Sequence, residues 1–233
     1  MSSAQPRFVI TLGLALVVIG VGVGVFYLQQ GPERSNSKQN GADSRQLSDE
    51  QKIAEAERQI FASVPDKQSA HEKAFSAFNA AGMARSTSLP TRDSIHQREA
   101  MVKRLDEANT ALEEPFKTAE KTLRSDLLRR GFSEYTSAKA AARFAQRANV
   151  DLILKIRACE RDSNAVFLQL LDLLDIRWGT WKPGARDRVL FNNATDTNAY
   201  NALRQQILQI GATQQALQAE VQQRLRDTGK PEL

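Results

Sequence analysis

The residues with the greatest potential for metal binding or proton transfer are the two histidines, His71 and His96. Di-iron helical bundles place a glutamate three residues before a histidine, and neither histidine has a glutamate there. Both lie among polar side chains, so we expect both imidazoles to be exposed to solvent. The sequence therefore predicts no metal site and no bound cofactor.

Other side chains that could perform catalysis also lack a recognisable motif. No serine lies in a G-x-S-x-G motif, and no glycine-rich phosphate loop follows a predicted strand. Asp172 and Asp175 flank leucines, and we expect them on a solvated helix face; a buried acid pair that includes Asp172 is the alternative. The sequence predicts that the protein is not an enzyme.

The single cysteine, Cys159, excludes an internal disulfide and a multi-cysteine zinc site. Its place in the helical period turns it inward. We therefore expect an unreactive structural thiol.

Both tryptophans of the chain, Trp178 and Trp181, lie in one short segment that also contains several basic residues. Tryptophan and arginine are enriched at the hot spots of protein interfaces. We therefore predict Trp178, Trp181 and Arg186 as partner-binding residues. The alternative is that the tryptophans only cover the open end of a helical bundle.

The elements that position these residues follow a strongly apolar segment, residues 8–28, which contains no charged side chain. A helix of this length measures roughly 31 Å, close to the thickness of a bilayer core. A cleaved signal peptide is the alternative, but the segment is long for one and no small-x-small cleavage site follows it. The sequence predicts a single transmembrane anchor after a short tail, residues 1–7.

Gly20 and Gly24 form a GxxxG spacing within the predicted anchor, which would allow two membrane helices to associate closely. Glycine is also common in membrane helices without such a role. Basic residues on both sides leave the orientation open. The short N-terminal tail favours a bundle on the exported side of the cell membrane.

Residues 29–46 are glycine, proline, serine, asparagine, glutamine and charged residues, with Ala42 as the only apolar side chain, which predicts a flexible linker. A helical-bundle domain is predicted for residues 47–229, with a short tail at 230–233. Ser48 and Gln51 match a capping box at the start of the first helix, and Pro65 begins a second. Gly82 is predicted to end that second helix.

Three long runs with apolar residues in steps of three and four follow. The first ends at Gly131 and contains Pro115, which predicts a kink or a division into two helices. The second run is predicted to form one helix from Ser133 onward. Asn109, Asn149 and Gln214 are polar members of otherwise apolar seams, which can fix helix register. The seam residues of the first run are Val102, Leu105, Asn109, Leu112, Phe116, Ala119 and Leu123.

Pro183-Gly184 between strand-like residues predicts a β-hairpin at about 178–191. The predicted fold is all-α: a transmembrane helix, a linker and an up-down antiparallel bundle of three or four long helices, with the hairpin between the last two.

The formal net charge of +5 comes from interleaved acids and bases and from no dense basic run, which argues against nucleic-acid binding. We expect a membrane-anchored, non-catalytic interaction or scaffold protein. Its predicted partners are the lipid bilayer and either another protein or a second copy of the chain, bound through the helices. The alternative is a ligand-binding or sensor-accessory bundle that reports through a partner protein. A closed apolar cavity would favour the sensor, and a filled core with exposed apolar residues would favour the scaffold.

Overall fold

The computed structural model describes residues 48–83 and 85–228. The predicted anchor with Gly20 and Gly24, the predicted linker and both predicted tails lie outside the described residues. Within those two ranges, every helix is too short or too polar to cross a bilayer.

Six α-helices and one two-stranded antiparallel sheet make up the described part of the chain. The helices are α1 (Asp49–Ile60), α2 (Val64–Ala80), α3 (Arg92–Arg129), α4 (Glu134–Arg147), α5 (Val150–Ile176) and α6 (Ala194–Thr228). The strands β1 (Trp181–Pro183) and β2 (Val189–Phe191) lie between α5 and α6. Helix accounts for 83% of these residues, so the prediction of a helical bundle with a small hairpin is confirmed.

Local chemistry explains where the first two helices begin and end. The Ser48 hydroxyl accepts a hydrogen bond from the Gln51 N–H, and the Gln51 side chain accepts one from the Ser48 N–H. Pro65 lies in the first turn of α2, where its missing N–H removes no helical hydrogen bond. Gly82 follows α2 with φ of +85°, a conformation that favours glycine. These boundaries agree with the prediction.

α3 is one helix of 38 residues, although Pro115 lies near its middle. The predicted alternative of two separate helices is therefore wrong. Proline removes one backbone hydrogen bond, but the buried face around it continues without interruption on both sides. All of the predicted seam residues of α3 are buried: Val102, Leu105, Asn109, Leu112, Phe116, Ala119 and Leu123.

The second predicted long helix is instead two helices, α4 and α5, and this part of the prediction is wrong. Asn149 separates them with φ of +51°, in the left-handed region. Asparagine tolerates this conformation better than most residues, because its short polar side chain hydrogen-bonds locally. Asn149 therefore belongs to a turn and not to a helical seam.

The long helices pack antiparallel, with the hairpin at one end. Arg92 at the start of α3 binds Asp175 at the end of α5, and Asn109 in the middle of α3 reaches Arg157 of α5. At the other end of α3, Arg130 contacts Glu55 of α1. The chain therefore enters the bundle at the end opposite the hairpin.

Two apolar clusters fill the interior. The cluster at the hairpin end joins α2, α3, α5, α6 and β2 and includes Phe78, Ile95, Phe167, Leu171 and Ile207. The cluster at the opposite end joins α1, the start of α2, α3, α4 and the start of α5, and contains a group of three aromatic rings. In that group, the ring of Phe61 lies 4.7 Å from Phe116 and 5.2 Å from Phe144.

Candidate functional site

The hairpin is held against the bundle by the inner face of its two strands. Trp181 pairs with Phe191 in the β-register, and both pack on the apolar cluster at the hairpin end. The Trp181 indole N–H donates a 2.8 Å hydrogen bond to the carbonyl of Leu174, at the end of α5. Trp181 thus covers the bundle end, which is the structural role considered for it from the sequence.

The loop before α3 holds the hairpin from the other side. The Ser86 hydroxyl donates to the Arg188 carbonyl at 2.9 Å, and the Thr87 hydroxyl donates to the Asp187 carboxylate at 2.7 Å. Arg85 lies 4.0 Å from the same carboxylate. These contacts fix the hairpin loop, so its outer side chains project from a rigid support.

Large apolar side chains are exposed around this support. Trp178 stacks edge-on against Trp181, with ring centroids 5.5 Å apart, yet remains 38% exposed. Ile176 is 63% exposed and Leu190 is 46% exposed. The two other large hydrophobic residues exposed in the described ranges, Leu128 and Tyr135, lie near the opposite end of the bundle. Exposed apolar surface therefore concentrates at the hairpin end.

Basic side chains accompany this apolar surface. Lys182 and Arg188 are exposed, while Arg177 forms an ion pair with Asp196 at 3.0 Å. Arg186, the third predicted partner-binding residue, lies in the short 3-10 turn 185–187 between the strands. The structure thus places all three predicted residues at one end of the bundle.

The chain matches no protein-family model, and no curated protein or solved structure is significantly similar to it. Function must therefore be argued from the sites themselves.

A small open pocket lies beside the hairpin, between the loop before α3 and the helices α5 and α6. Its apolar wall consists of Met83, Phe167, Leu170 and Ile207, and its polar wall consists of Arg85, Asp187, Tyr200 and Arg204. No local sequence pattern predicts this pocket, because its residues come from four separate segments.

A buried polar cluster crosses the middle of the bundle, and it corrects the prediction for His71. This histidine is only 3% exposed, so the expectation of a solvated imidazole is wrong. Its Nε2 atom lies 3.0 Å from the Glu160 carboxylate, and the Arg157 guanidinium lies 2.9 Å from the same oxygen. The prediction for His96 was correct, since its side chain is half-exposed.

Two amides complete this polar cluster. Gln214 of α6 donates to Glu160 at 3.2 Å, and Asn109 of α3 donates to the Arg157 carbonyl at 3.0 Å. The cluster therefore joins α2, α3, α5 and α6 at one level of the bundle. Nδ1 of His71 and Nε of Arg157 have no hydrogen-bond partner within the described residues. Buried polar groups linked in this way favour one helix register over others.

Neither histidine belongs to a metal site in the part of the chain that the structure describes, where no group of three or more potential ligands is found. Cys159 is partly buried, and burial together with the nearby charges of Asp162 and Glu160 raises the pKa of its thiol. A raised pKa disfavours the thiolate, which is the reactive form.

The carboxylate of Asp175 predicts a specific pH dependence of stability. It accepts two hydrogen bonds from Arg92, at 2.7 and 3.0 Å, and lies 3.1 Å from Nε2 of His96. The hydrogen bonds from Arg92 hold the pKa of Asp175 below its ordinary value. This carboxylate therefore stabilises the fold above its unfolded pKa, near pH 4, and the contribution is lost as pH falls through the lower folded pKa.

We expect Asp175→Asn to lower the free energy of unfolding at about pH 7. This difference between the variant and the parent should shrink as the pH falls below about 4, because the parent then loses the charge on Asp175. Urea unfolding of both proteins across this pH range measures the effect. Asp172→Asn is the matched control, because Asp172 is exposed on the same helix. A constant difference between the Asp175→Asn variant and the parent at every pH would contradict the prediction.

Proposed function

We propose that the protein is a non-catalytic, membrane-tethered helical bundle that presents its hairpin end to a protein partner. The observation that carries the proposal is the concentration of exposed Ile176, Trp178 and Leu190 at that end. Isolated exposed hydrophobic residues are ordinary on a protein surface, whereas several at one rigid end are typical of interaction sites.

The charges at the hairpin end suggest the kind of partner. Lys182 and Arg188 are exposed and form no ion pair with another of the described residues. An apolar surface with acidic residues at its rim would complement this arrangement. Rim charges of this kind mainly accelerate association and select the partner.

The predicted anchor over residues 8–28 supplies the membrane location in this proposal, with the bundle on the exported side and Gly20 and Gly24 as an additional site of self-association. The chain enters the bundle at the end opposite the hairpin, because Glu55 in the first helix contacts Arg130 at that end. The hairpin is therefore available to a partner at a distance from the tether.

The sensor-accessory role is the second candidate, and the open pocket beside the hairpin is the observation that favours it. Two clusters of buried apolar side chains lie in the interior of the bundle. We favour the interaction role because a protein partner accounts for the exposed apolar side chains at the hairpin end, whereas a ligand in the pocket does not.

Photo-crosslinking in intact cells tests the interaction role. A benzophenone amino acid in place of Leu190 is expected to form a discrete crosslink to one protein, and Trp178→Ala should reduce its yield about tenfold, since interface tryptophans are frequent hot spots. The matched controls are the same probe in place of Tyr135 and the Tyr135→Ala variant, because Tyr135 is 74% exposed at the opposite end. Equal crosslinking from both ends, or a yield unaffected by Trp178→Ala, would refute the proposal.

A further inference from the structure

The pocket beside the hairpin combines an apolar wall with polar groups whose hydrogen-bonding capacity is not used. Tyr200 is only 4% exposed, yet its hydroxyl makes no hydrogen bond to another of the described residues. Because Tyr200 lines the pocket, its hydroxyl is available to form a hydrogen bond with a bound ligand.

Arg204 lies over the ring of Tyr200 and provides a cation in the same pocket. Its guanidinium carbon lies 5.8 Å from the centre of the Tyr200 ring, and it forms no ion pair within the described ranges. Burial raises the pKa of the Tyr200 hydroxyl, and the charges of Arg204 and Asp187 also act on it. The hydroxyl therefore remains protonated at neutral pH and can donate a hydrogen bond.

The carboxylate of Asp187 already contacts side chains of the loop before α3. It accepts the hydroxyl of Thr87 at 2.7 Å and lies 4.0 Å from Arg85. The pocket charges are thus one carboxylate and two guanidiniums, a balance of one positive charge that suits a monoanion better than a dianionic phosphate.

The backbone on both sides of the pocket is held in an unusual conformation. Met83 has φ of +52° and Asp187 has φ of +56°, and both residues line the pocket. Such left-handed conformations cost free energy in residues other than glycine and occur frequently at ligand sites.

We propose that this pocket binds a small carboxylate with a short, branched apolar body. The apolar part contacts Met83, Phe167, Leu170 and Ile207, and the carboxylate accepts hydrogen bonds from Arg204 and the Tyr200 hydroxyl. The volume of the pocket, about 40 Å³, holds a group of a few carbon atoms and leaves the charged end near the opening. This inference does not depend on a protein partner at the hairpin end.

Methyl-labelled NMR of the full chain in lipid nanodiscs tests the proposal with 3-methylbutanoate as the probe. Titration to about 20 mM is expected to shift the methyl signals of Met83, Leu170 and Ile207 in a saturable manner. The neutral isostere 3-methylbutanamide is expected to bind about tenfold more weakly, because a charge-assisted hydrogen bond is stronger than a neutral one.

Two variants locate the carboxylate. Arg204→Gln should weaken binding of 3-methylbutanoate about tenfold and change binding of the amide less than about threefold. Tyr200→Phe retains the ring and should weaken binding of the carboxylate about fivefold. Arg143→Gln is the matched control, since Arg143 is exposed on α4 far from the pocket.

Three results would overturn the proposal: no shift at the highest concentration, equal affinity for the carboxylate and the amide, or saturable shifts only at methyl groups outside the pocket. The dispersed methyl spectrum of each variant reports whether it is folded. Because Tyr200→Phe removes a single hydroxyl, it provides a test even where Arg204→Gln disturbs the packing.

Discussion

Replacing Glu160 by glutamine should destabilise the protein by about 3–5 kcal/mol, because it leaves the buried Arg157 guanidinium without its counter-charge. Both Arg157 and Glu160 are 6% exposed, and the two groups approach within 2.9 Å. Glutamine keeps the size of the side chain, so the loss would come from charge and not from packing. Urea unfolding of the full chain measures the change.

A second substitution tests this explanation. In the Glu160→Gln background, Arg157→Met removes the unpaired charge and should restore at least about 1 kcal/mol, an interaction energy typical of residues in contact. Glu120→Gln is the control on an exposed position of α3 and should change stability by less than about 0.5 kcal/mol. If Glu160→Gln behaves like this control, the buried cluster does not stabilise the fold.

The second large effect is expected at the opposite end of the bundle. Phe116→Ala should cost about 3–5 kcal/mol, because it removes a ring that is 2% exposed and leaves a cavity between three helices. The loss includes the contact with the ring of Phe61 at 4.7 Å. Thermal or urea unfolding measures it.

Tyr135→Ala is the aromatic control for this prediction, since it removes a ring of similar size that lies at the surface. Its effect should stay below about 0.5 kcal/mol. A similar loss of stability in the two variants would mean that the aromatic group formed by Phe61, Phe116 and Phe144 is not a core.

The fold was largely predictable where one regular period governs many residues. The seam of α3 repeats over its whole length, so its buried residues could be assigned individually. The break at Asn149 could not, because apolar residues on both sides continue the same spacing and only the backbone angle of one residue differs. Secondary structure there depends on packing against α3, which a local pattern does not contain.

His71 shows a different limit. Its neighbours along the chain are polar, and this suggested an exposed imidazole. It also lies seven residues after Val64 and seven before Phe78, both of which are buried on the same face of α2. This spacing of seven residues indicates that His71 lies on the buried face of α2. The partnership with Glu160 was not predictable, since the two residues are far apart in the sequence.

The hairpin was predicted from its turn residues and strand-like flanks, whereas the pocket beside it was not. Arg204 and Tyr200 are one helical turn apart on α6, but Asp187 and Met83 reach them only through the folded loops. A site assembled from separate segments has no contiguous sequence pattern.

The entry of the chain at the end opposite the hairpin determines how large a volume the protein could search. The predicted linker of 18 residues, 29–46, would have an average end-to-end distance of roughly 23 Å if it is flexible, and α3 with its 38 residues adds about 57 Å. With the predicted anchor in the bilayer, the hairpin would sweep a hemisphere with a radius of about 80 Å. A partner in the same membrane would then be met at an effective concentration set mainly by linker length, so shortening residues 29–46 should alter the capture rate without altering the binding surface.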